Sequence, residues 1–178
     1  MTDDRKRPRP HDYFSDWKER EALAEAMIPV VGKLSRERNV KCYIYGRSLV
    51  NQSVLDIMKS HRWVRQVEAN ELSEFETAPV LEAVSQLDLG PCHLDVGRLA
   101  VAYYDKGAGE GLTVEEYVAQ ELDYLVGSTH KPVDEPVDVV LYGFGRIGRL
   151  MARILIAKTD GGDSLRLRAV VVRRGKAE

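Results

Sequence analysis

Seven consecutive residues near the end of the chain have the types and the spacing that could hold a phosphate group. They read Gly143-Phe144-Gly145-Arg146-Ile147-Gly148-Arg149. A β-branched run, Val137 to Tyr142, comes directly before them, and apolar residues at helical spacing follow. The order predicts a strand, a tight glycine turn and a helix, which is the arrangement that a dinucleotide-binding unit requires.

Each glycine of this motif has a separate physical reason. Gly143 can adopt a turn that a Cβ atom would obstruct, Gly145 lets the backbone approach a pyrophosphate, and Gly148 lets helix and strand pack closely. The pyrophosphate then meets free amides at the helix N-terminus, which we expect to be those of Arg146 and Ile147. The alternative is a plain glycine turn between a strand and a helix. The cofactor-binding residues predicted within the motif are Gly143, Phe144, Gly145, Arg146, Ile147 and Gly148.

The complete heptad resembles the cofactor motif of the glyceraldehyde-3-phosphate dehydrogenase family, in which Phe144, Arg146, Ile147 and Arg149 are as characteristic as the glycines. The resemblance covers the chain from Val137 onward. It implies an oxidoreductase that uses NAD or NADP, acts on a phosphorylated aldehyde in glycolysis or gluconeogenesis, and is tetrameric when complete. A close relative that acts on erythrose 4-phosphate shares such motifs, so the substrate remains open.

The residues from Val137 to the end form one strand–helix–strand unit. Its predicted elements are strands at Val137–Tyr142 and Arg166–Val172, a helix at Arg146–Lys158 and a loop at Gly161-Gly162. A right-handed crossover places the two strands parallel in one sheet. Because a whole dinucleotide domain needs about six strands, we expect a truncated α/β Rossmann domain and a fragment of a longer protein.

Two arginines, Arg173 and Arg174, stand where an acidic residue would contact the adenosine ribose of NAD. In the family an Asp usually occupies this place. An arginine can instead accept the 2′-phosphate of NADP in a charge-assisted pair. The alternative is a basic turn with selectivity set elsewhere, so NAD and NADP both remain possible.

The resemblance implies chemistry through a cysteine thiohemiacetal, a histidine base and hydride transfer to the nicotinamide. The family's nucleophile lies in a Ser-Cys-Thr-Thr-Asn-like segment, which this chain lacks. Cys42 and Cys92 precede the motif and have the wrong neighbours. We therefore predict no catalytic residue here, and we expect the chain alone to be inactive.

Composition excludes several other classes. The chain has 178 residues, 26 basic and 28 acidic, and a net charge of −2, which gives no reason to expect nucleic acid as a partner. No apolar run approaches the ~20 residues that span a bilayer, so we expect no membrane association. The two cysteines lack metal-binding spacing and suit a reducing cytoplasm.

The residues before the motif form a helical N-terminal extension at 13–127, after a disordered tail at 1–12 and before a linker at 128–136. The resemblance extends to the long N-terminal extension that one subgroup of the family carries. We predict a helix that Ser15 caps and that runs from Trp17 to about Arg38, with a kink or break at Pro29. Further predicted helices run from Asn51 to Val67, from a Ser73–Glu76 capping box to Gly90, and from a Thr113–Glu116 capping box to Gly127. The segment Asp95–Tyr104 is ambiguous between strand and helix.

Two short stretches of the extension have a functional and a structural interpretation. Gly46-Arg47-Ser48 could be a small anion site, although a turn before a helix is favoured. Cys92-His93 could be a nucleophile pair, although a thiol in a loop is favoured. His61 and Trp63 are interpreted as packing and surface residues.

Two functions follow. The first is the N-terminal part of a dehydrogenase, and the alternative is a non-catalytic helical interaction module whose βαβ unit senses a nucleotide. A Cys-Thr-Thr-Asn-type motif in the coding sequence after Glu178 would favour the dehydrogenase.

Overall fold

The computed structural model describes residues 13–68, 71–127, 137–158 and 165–173. The chain divides into two compact units, Met1–His130 and Lys131–Glu178. Helices and strands occur in both units, so the predicted α/β class is confirmed. The predicted tail, the linker at 128–136, the Gly161-Gly162 loop and Arg174 lie outside the described residues.

The first unit combines helices with a small sheet. Its described elements, in chain order, are α1 (Tyr13–Arg38), β1 (Val40–Ile44), β2 (Arg47–Ser48), α2 (Val54–Val64), α3 (Glu74–Gln86), β3 (Cys92–Asp95), α4 (Val96–Tyr104), α5 (Val114–Glu121) and a 3₁₀ turn (Asp123–Leu125).

The sheet of this unit has the strand order β2-β1-β3. β1 and β2 form an antiparallel hairpin whose two turn residues, Tyr45 and Gly46, have φ angles of +46° and +78°. Positive φ at both positions is the signature of the turn whose twist matches a hairpin. β3 lies parallel to β1, with Val40 opposite Cys92. The prediction that Cys92 lies in a loop was therefore wrong.

The long helix α1 supplies much of the core. Its Ala24, Met27, Val31 and Leu34 are almost fully buried, whereas Ile28 is 37% exposed. The helix continues through Pro29 without a break. Proline removes one backbone donor, but burial of apolar residues on both sides of it stabilises the helical path.

Several helix ends differ from the predictions. α1 begins at Tyr13, so the expected N-cap Ser15 lies inside its first turn. α2 begins at Val54, where Ser53 accepts a 3.2 Å hydrogen bond from the amide of Asp56. α3 ends at Gln86, before the expected Gly90. At α2 the residue that caps the helix is Ser53 rather than the expected Asn51, and this choice sets where the helix begins.

Capping residues explain where the helices α3, α4 and α5 begin. The Glu76 carboxylate accepts a 2.9 Å hydrogen bond from the amide of Ser73, as the predicted capping box requires. In the second capping box the amide of Glu116 donates to the Thr113 hydroxyl at 3.2 Å, and the amide of Thr113 donates to the Glu116 carboxylate at 2.9 Å. Asp95 ends β3 and accepts a hydrogen bond from the amide of Arg98 in the first turn of α4. The segment Asp95–Tyr104, which the sequence left ambiguous between strand and helix, is therefore a helix after its first residue. The helix that follows Thr113 ends at Glu121, earlier than expected.

The second unit contains β4 (Val137–Tyr142), α6 (Arg146–Lys158) and β5 (Leu165–Val171). The two strands pair in parallel from Val137–Leu165 to Tyr142–Val171, with one irregularity after Val139. Across the pair Arg166 donates to the Asp138 carboxylate at 2.7 Å. This hydrogen bond is the main reason why the pKa of Asp138 is lowered.

Among the described residues, no helix has both the length and the apolar character needed to cross a bilayer.

A histidine is completely buried where α2 meets α3. His61 Nδ1 lies 2.9 Å from the carbonyl oxygen of Ile57 and 3.3 Å from Glu74 Oε1, and Nε2 lies 2.6 Å from the Thr77 hydroxyl. Burial lowers the pKa of His61 and outweighs the opposite effect of Glu74. The imidazole is therefore a neutral packing group, as the sequence interpretation held.

This burial predicts acid-sensitive stability. Below about pH 6.5 the unfolded chain protonates its histidines, whereas folded His61 resists protonation. The free energy of unfolding should then fall by up to about 1.4 kcal/mol per pH unit. Urea unfolding at about pH 7.5 and about pH 5.5 measures the difference. His61→Gln should reduce the pH dependence of the free energy of unfolding, whereas His93→Gln, at an exposed position, should leave it unchanged. An equal pH dependence in both variants would show that His61 is not its cause.

Candidate functional site

The site predicted from the glycine motif lies where β4 gives way to α6. Gly143 follows the strand directly and has a φ angle of +97°, in the region that favours glycine. Its amide donates a 2.7 Å hydrogen bond to the carbonyl oxygen of Val171 in β5. The turn is thus attached to the carboxyl ends of both strands.

Gly148 contributes to the tight approach of helix and turn. A Cβ atom added there would lie 2.2 Å from the carbonyl oxygen of Gly143 and 3.1 Å from its carbon. At Gly145, by contrast, an added Cβ would meet no protein atom within 4 Å. Gly148 is therefore required by the fold of this unit, whereas Gly145 leaves open space beside the backbone.

Free amides lie at the start of α6. The first hydrogen bond between turns joins the amide of Arg149 to the carbonyl oxygen of Gly145, at 3.0 Å. The amides of Arg146 and Ile147 donate to no other residue in the described part of the chain. Such amides, together with the helix dipole, attract anions.

The side chains around this turn leave it accessible. Phe144, Arg146 and Ile147 are all exposed, Ile147 to 75%. No side chain of the described residues covers the amides with a hydrogen bond. An anion can thus reach them without rearranging the unit.

Arg173 lies at the same edge of the sheet. Because β4 and β5 are parallel, their carboxyl ends lie side by side; Arg173 comes two residues after β5 ends and is exposed. Of the two arginines predicted to contact the ribose, Arg173 therefore lies at the same edge of the sheet as the glycine turn. Arg174, the other, lies outside the described residues.

The two cysteines have the properties of structural thiols. Cys42 is buried in β1, where burial and the neighbouring Cys92 raise its pKa to about 12. Burial also raises the pKa of Cys92. Adjacent side chains on a strand point to opposite faces, so His93 cannot activate Cys92. The imidazole of His93 lies instead near Tyr43, with 5.4 Å between the two ring centroids. A nucleophilic thiol would need a lowered pKa.

The small anion site considered at Gly46 is not present. The carboxylate of Asp95 accepts hydrogen bonds from the amides of Tyr45 and Gly46, at 3.0 and 3.1 Å. Arg47 is stacked over the ring of Trp63 at 4.4 Å. The turn thus already holds an anionic group from its own chain. In the part of the chain that the structure describes, no cluster of three or more metal-binding side chains occurs either.

Comparison with known proteins finds a relative that is similar to most of this chain. A protein of Pseudomonas aeruginosa (strain UCBPP-PA14) named "Glyceraldehyde-3-phosphate dehydrogenase-like protein" is 51% identical over 151 residues, which are 84% of this chain and 32% of that protein. The chain thus spans about a third of the length of this curated relative. The match is much longer than the residues from Val137 onward, so most of it lies before the glycine motif. No protein-family model matches the chain.

Proposed function

We propose that this chain is the N-terminal part of a glyceraldehyde-3-phosphate dehydrogenase-like oxidoreductase and that its second unit binds the pyrophosphate of NAD or NADP. The name of the Pseudomonas aeruginosa relative supports the family. The observation that carries the cofactor site is the exposed pair of free amides, Arg146 and Ile147, beside a glycine turn.

The residues of the turn fit a dinucleotide. Gly145 has space for a close approach, and the amides of Arg146 and Ile147 point a positive dipole toward the phosphates. Arg173, with Arg174 beside it in sequence, would contact the adenosine ribose or its 2′-phosphate. When bound, the nicotinamide supplies the hydride acceptor; these residues bind and orient it.

Further strands should complete the second unit in the whole protein. Apolar side chains are exposed on both its strands and its helix, whereas in a doubly wound sheet strands and helices cover one another. The exposed ones include Val137, Val140, Ile147, Leu150, Val170 and Val172. We therefore propose that this unit is the first βαβ part of a Rossmann domain, and that residues 13–127 are the extension of the long subgroup.

The catalytic residues should lie elsewhere in the whole enzyme. The raised pKa values of Cys42 and Cys92 support this proposal, because a protonated thiol is a poor nucleophile. Oxidation of a phosphorylated aldehyde, a cytoplasmic location and a tetramer are proposals that depend on the family resemblance.

Titration of NAD and NADP into the protein tests the cofactor site and its selectivity. Because an arginine can pair with a 2′-phosphate, Arg173→Asp should weaken NADP binding by at least about tenfold and leave NAD binding intact or tighter. Calorimetry measures both constants, and the fluorescence of the reduced forms, NADH and NADPH, gives an independent measurement.

Arg153→Asp is the matched control, because Arg153 is an exposed arginine on α6 and its replacement makes the same change in charge. Equal effects of the two variants would reject a role for Arg173 in selectivity. If neither dinucleotide binds with saturation, the cofactor site itself is rejected.

A further inference from the structure

A tyrosine stands at the carboxyl end of β4, directly before the glycine turn. Tyr142 is the last residue of the strand, and its side chain is 84% exposed. Within the described residues its ring stacks on no other aromatic ring and on no cation. Aromatic side chains normally bury a large area, so the exposure of this ring calls for a contact with another group.

The direction of the ring follows from the alternation of side chains along the strand. Val139 and Leu141 are half-buried, whereas Val140 and Tyr142 are exposed. Because α6 is the one helix of the second unit within the described residues, the half-buried pair lies on the face that α6 covers. Successive side chains of a strand point to opposite faces. Tyr142 therefore lies on the face of the sheet away from α6.

The two ends of this face differ in chemistry. At the amino end the carboxylate of Asp138 pairs with Arg166 at 2.7 Å and with Arg168 at 3.6 Å, so the polar groups there already have partners within the unit. Toward the carboxyl end the face carries Val140, which is 45% exposed, and then Tyr142. In open α/β sheets ligands bind outside the carboxyl ends of the strands. The aromatic ring thus stands at the end of the sheet where a ligand is expected.

Tyr142 is also close to two groups already proposed to contact the cofactor. The residue after it, Gly143, opens the turn whose amides would hold the pyrophosphate. Its partner across the strand pair is Val171 in β5, and Arg173, proposed to contact the adenosine ribose, comes two residues after Val171. The group attached to that ribose is the adenine base. The ring of Tyr142 therefore lies on the adenosine side of the turn.

We propose that Tyr142 contacts the adenine base of the dinucleotide and so positions the adenosine half of the cofactor. This inference rests on the proposed cofactor site and adds a residue that lies outside the glycine heptad. A phenol ring presents an apolar π-face, on which a planar base can stack.

Binding of NAD and of adenosine diphosphate ribose to Tyr142→Ala tests the proposal, with calorimetry as the measurement. Both affinities should fall by at least about fivefold, because stacking between the base and the ring is lost. Tyr124→Ala is the matched control, since Tyr124 is a tyrosine that is 76% exposed and lies in the first unit. This control should change neither affinity. Equal affinities in the two variants would overturn the role of Tyr142.

Two further variants distinguish stacking from apolar packing. Tyr142→Phe keeps an aromatic ring and should bind both ligands like the unaltered protein. Tyr142→Leu keeps an apolar side chain without a ring, and it should show the same loss as Tyr142→Ala. Retained affinity in Tyr142→Leu, or a loss for NAD that adenosine diphosphate ribose does not share, would contradict a contact with adenine.

The same titrations separate this inference from the proposed function on which it rests. If the unaltered protein binds neither ligand with saturation, the cofactor site itself is rejected. If it binds NAD and the Tyr142 variants bind NAD equally well, the site stands and only the contact with Tyr142 is rejected.

Discussion

Replacing Gly148 by alanine should weaken dinucleotide binding by at least about tenfold and loosen the packing of α6 on β4. The added Cβ would lie 2.2 Å from the carbonyl oxygen of Gly143, closer than real atoms approach, and a backbone carbonyl cannot rotate away as a side chain can. The helix must therefore shift and carry with it the amides of Arg146 and Ile147. Titration with NAD or NADP measures the affinity, and amide hydrogen exchange in β4 and α6 measures the packing.

Gly145→Ala separates folding from binding at the same turn. Its added Cβ would meet no protein atom within 4 Å, so hydrogen exchange should be unchanged. The same Cβ should obstruct a pyrophosphate that approaches the backbone, and the affinity should fall. If both variants bind a dinucleotide like the unaltered protein, the cofactor does not lie at this turn.

The second unit could be predicted closely because its signals are local. The predicted ranges of β4 and α6 are identical to the observed ones, and β5 differs by one residue at each end. A β-branched run, three glycines and an apolar helical face each depend on neighbours within a few residues. The same local order predicted that Gly143 adopts a turn that a Cβ atom would obstruct, and the structure gives it a φ angle of +97°. Gly148 was predicted to let helix and strand pack closely, and the structure shows that the close approach is to the carbonyl oxygen of Gly143.

The sheet of the first unit could not be predicted in this way. β1 and β3 are short, and the partners Val40 and Cys92 are far apart in sequence. A run of only a few apolar residues fits strand and helix equally well. Pairing between distant segments decided the outcome, and it placed Cys92 in a strand.

The buried polar network of the first unit has no sequence signature. Arg20 and Glu74 are 54 residues apart, and His61 and Thr77 are 16 apart. Glu74 follows a helix N-cap, where an acidic residue is ordinarily explained by the helix dipole. Nothing in that local pattern indicates that its carboxylate is buried against an arginine from another helix.

Arg20→Met should lower the free energy of unfolding by about 3 kcal/mol. The substitution keeps most of the side-chain volume but removes the cation that pairs with Glu74 at 2.7 Å. The remaining carboxylate is 1% exposed, and a buried charge without a partner is strongly unfavourable. Urea unfolding at neutral pH measures the change. Arg36→Met, at an exposed position of the same helix, should change stability by less than about 0.5 kcal/mol.

A second variant distinguishes the lost ion pair from lost packing. In Arg20→Met with Glu74→Leu no charge remains buried at this position, so the double variant should be more stable than Arg20→Met alone. If the losses of stability caused by the two single substitutions simply add in the double variant, the Glu74 carboxylate is not stabilised by the Arg20 guanidinium. In that case Arg20 stabilises α1 through its apolar stem. Recovery in the double variant would instead show that Glu74 requires a cation, because its carboxylate is held too deep for water to replace one.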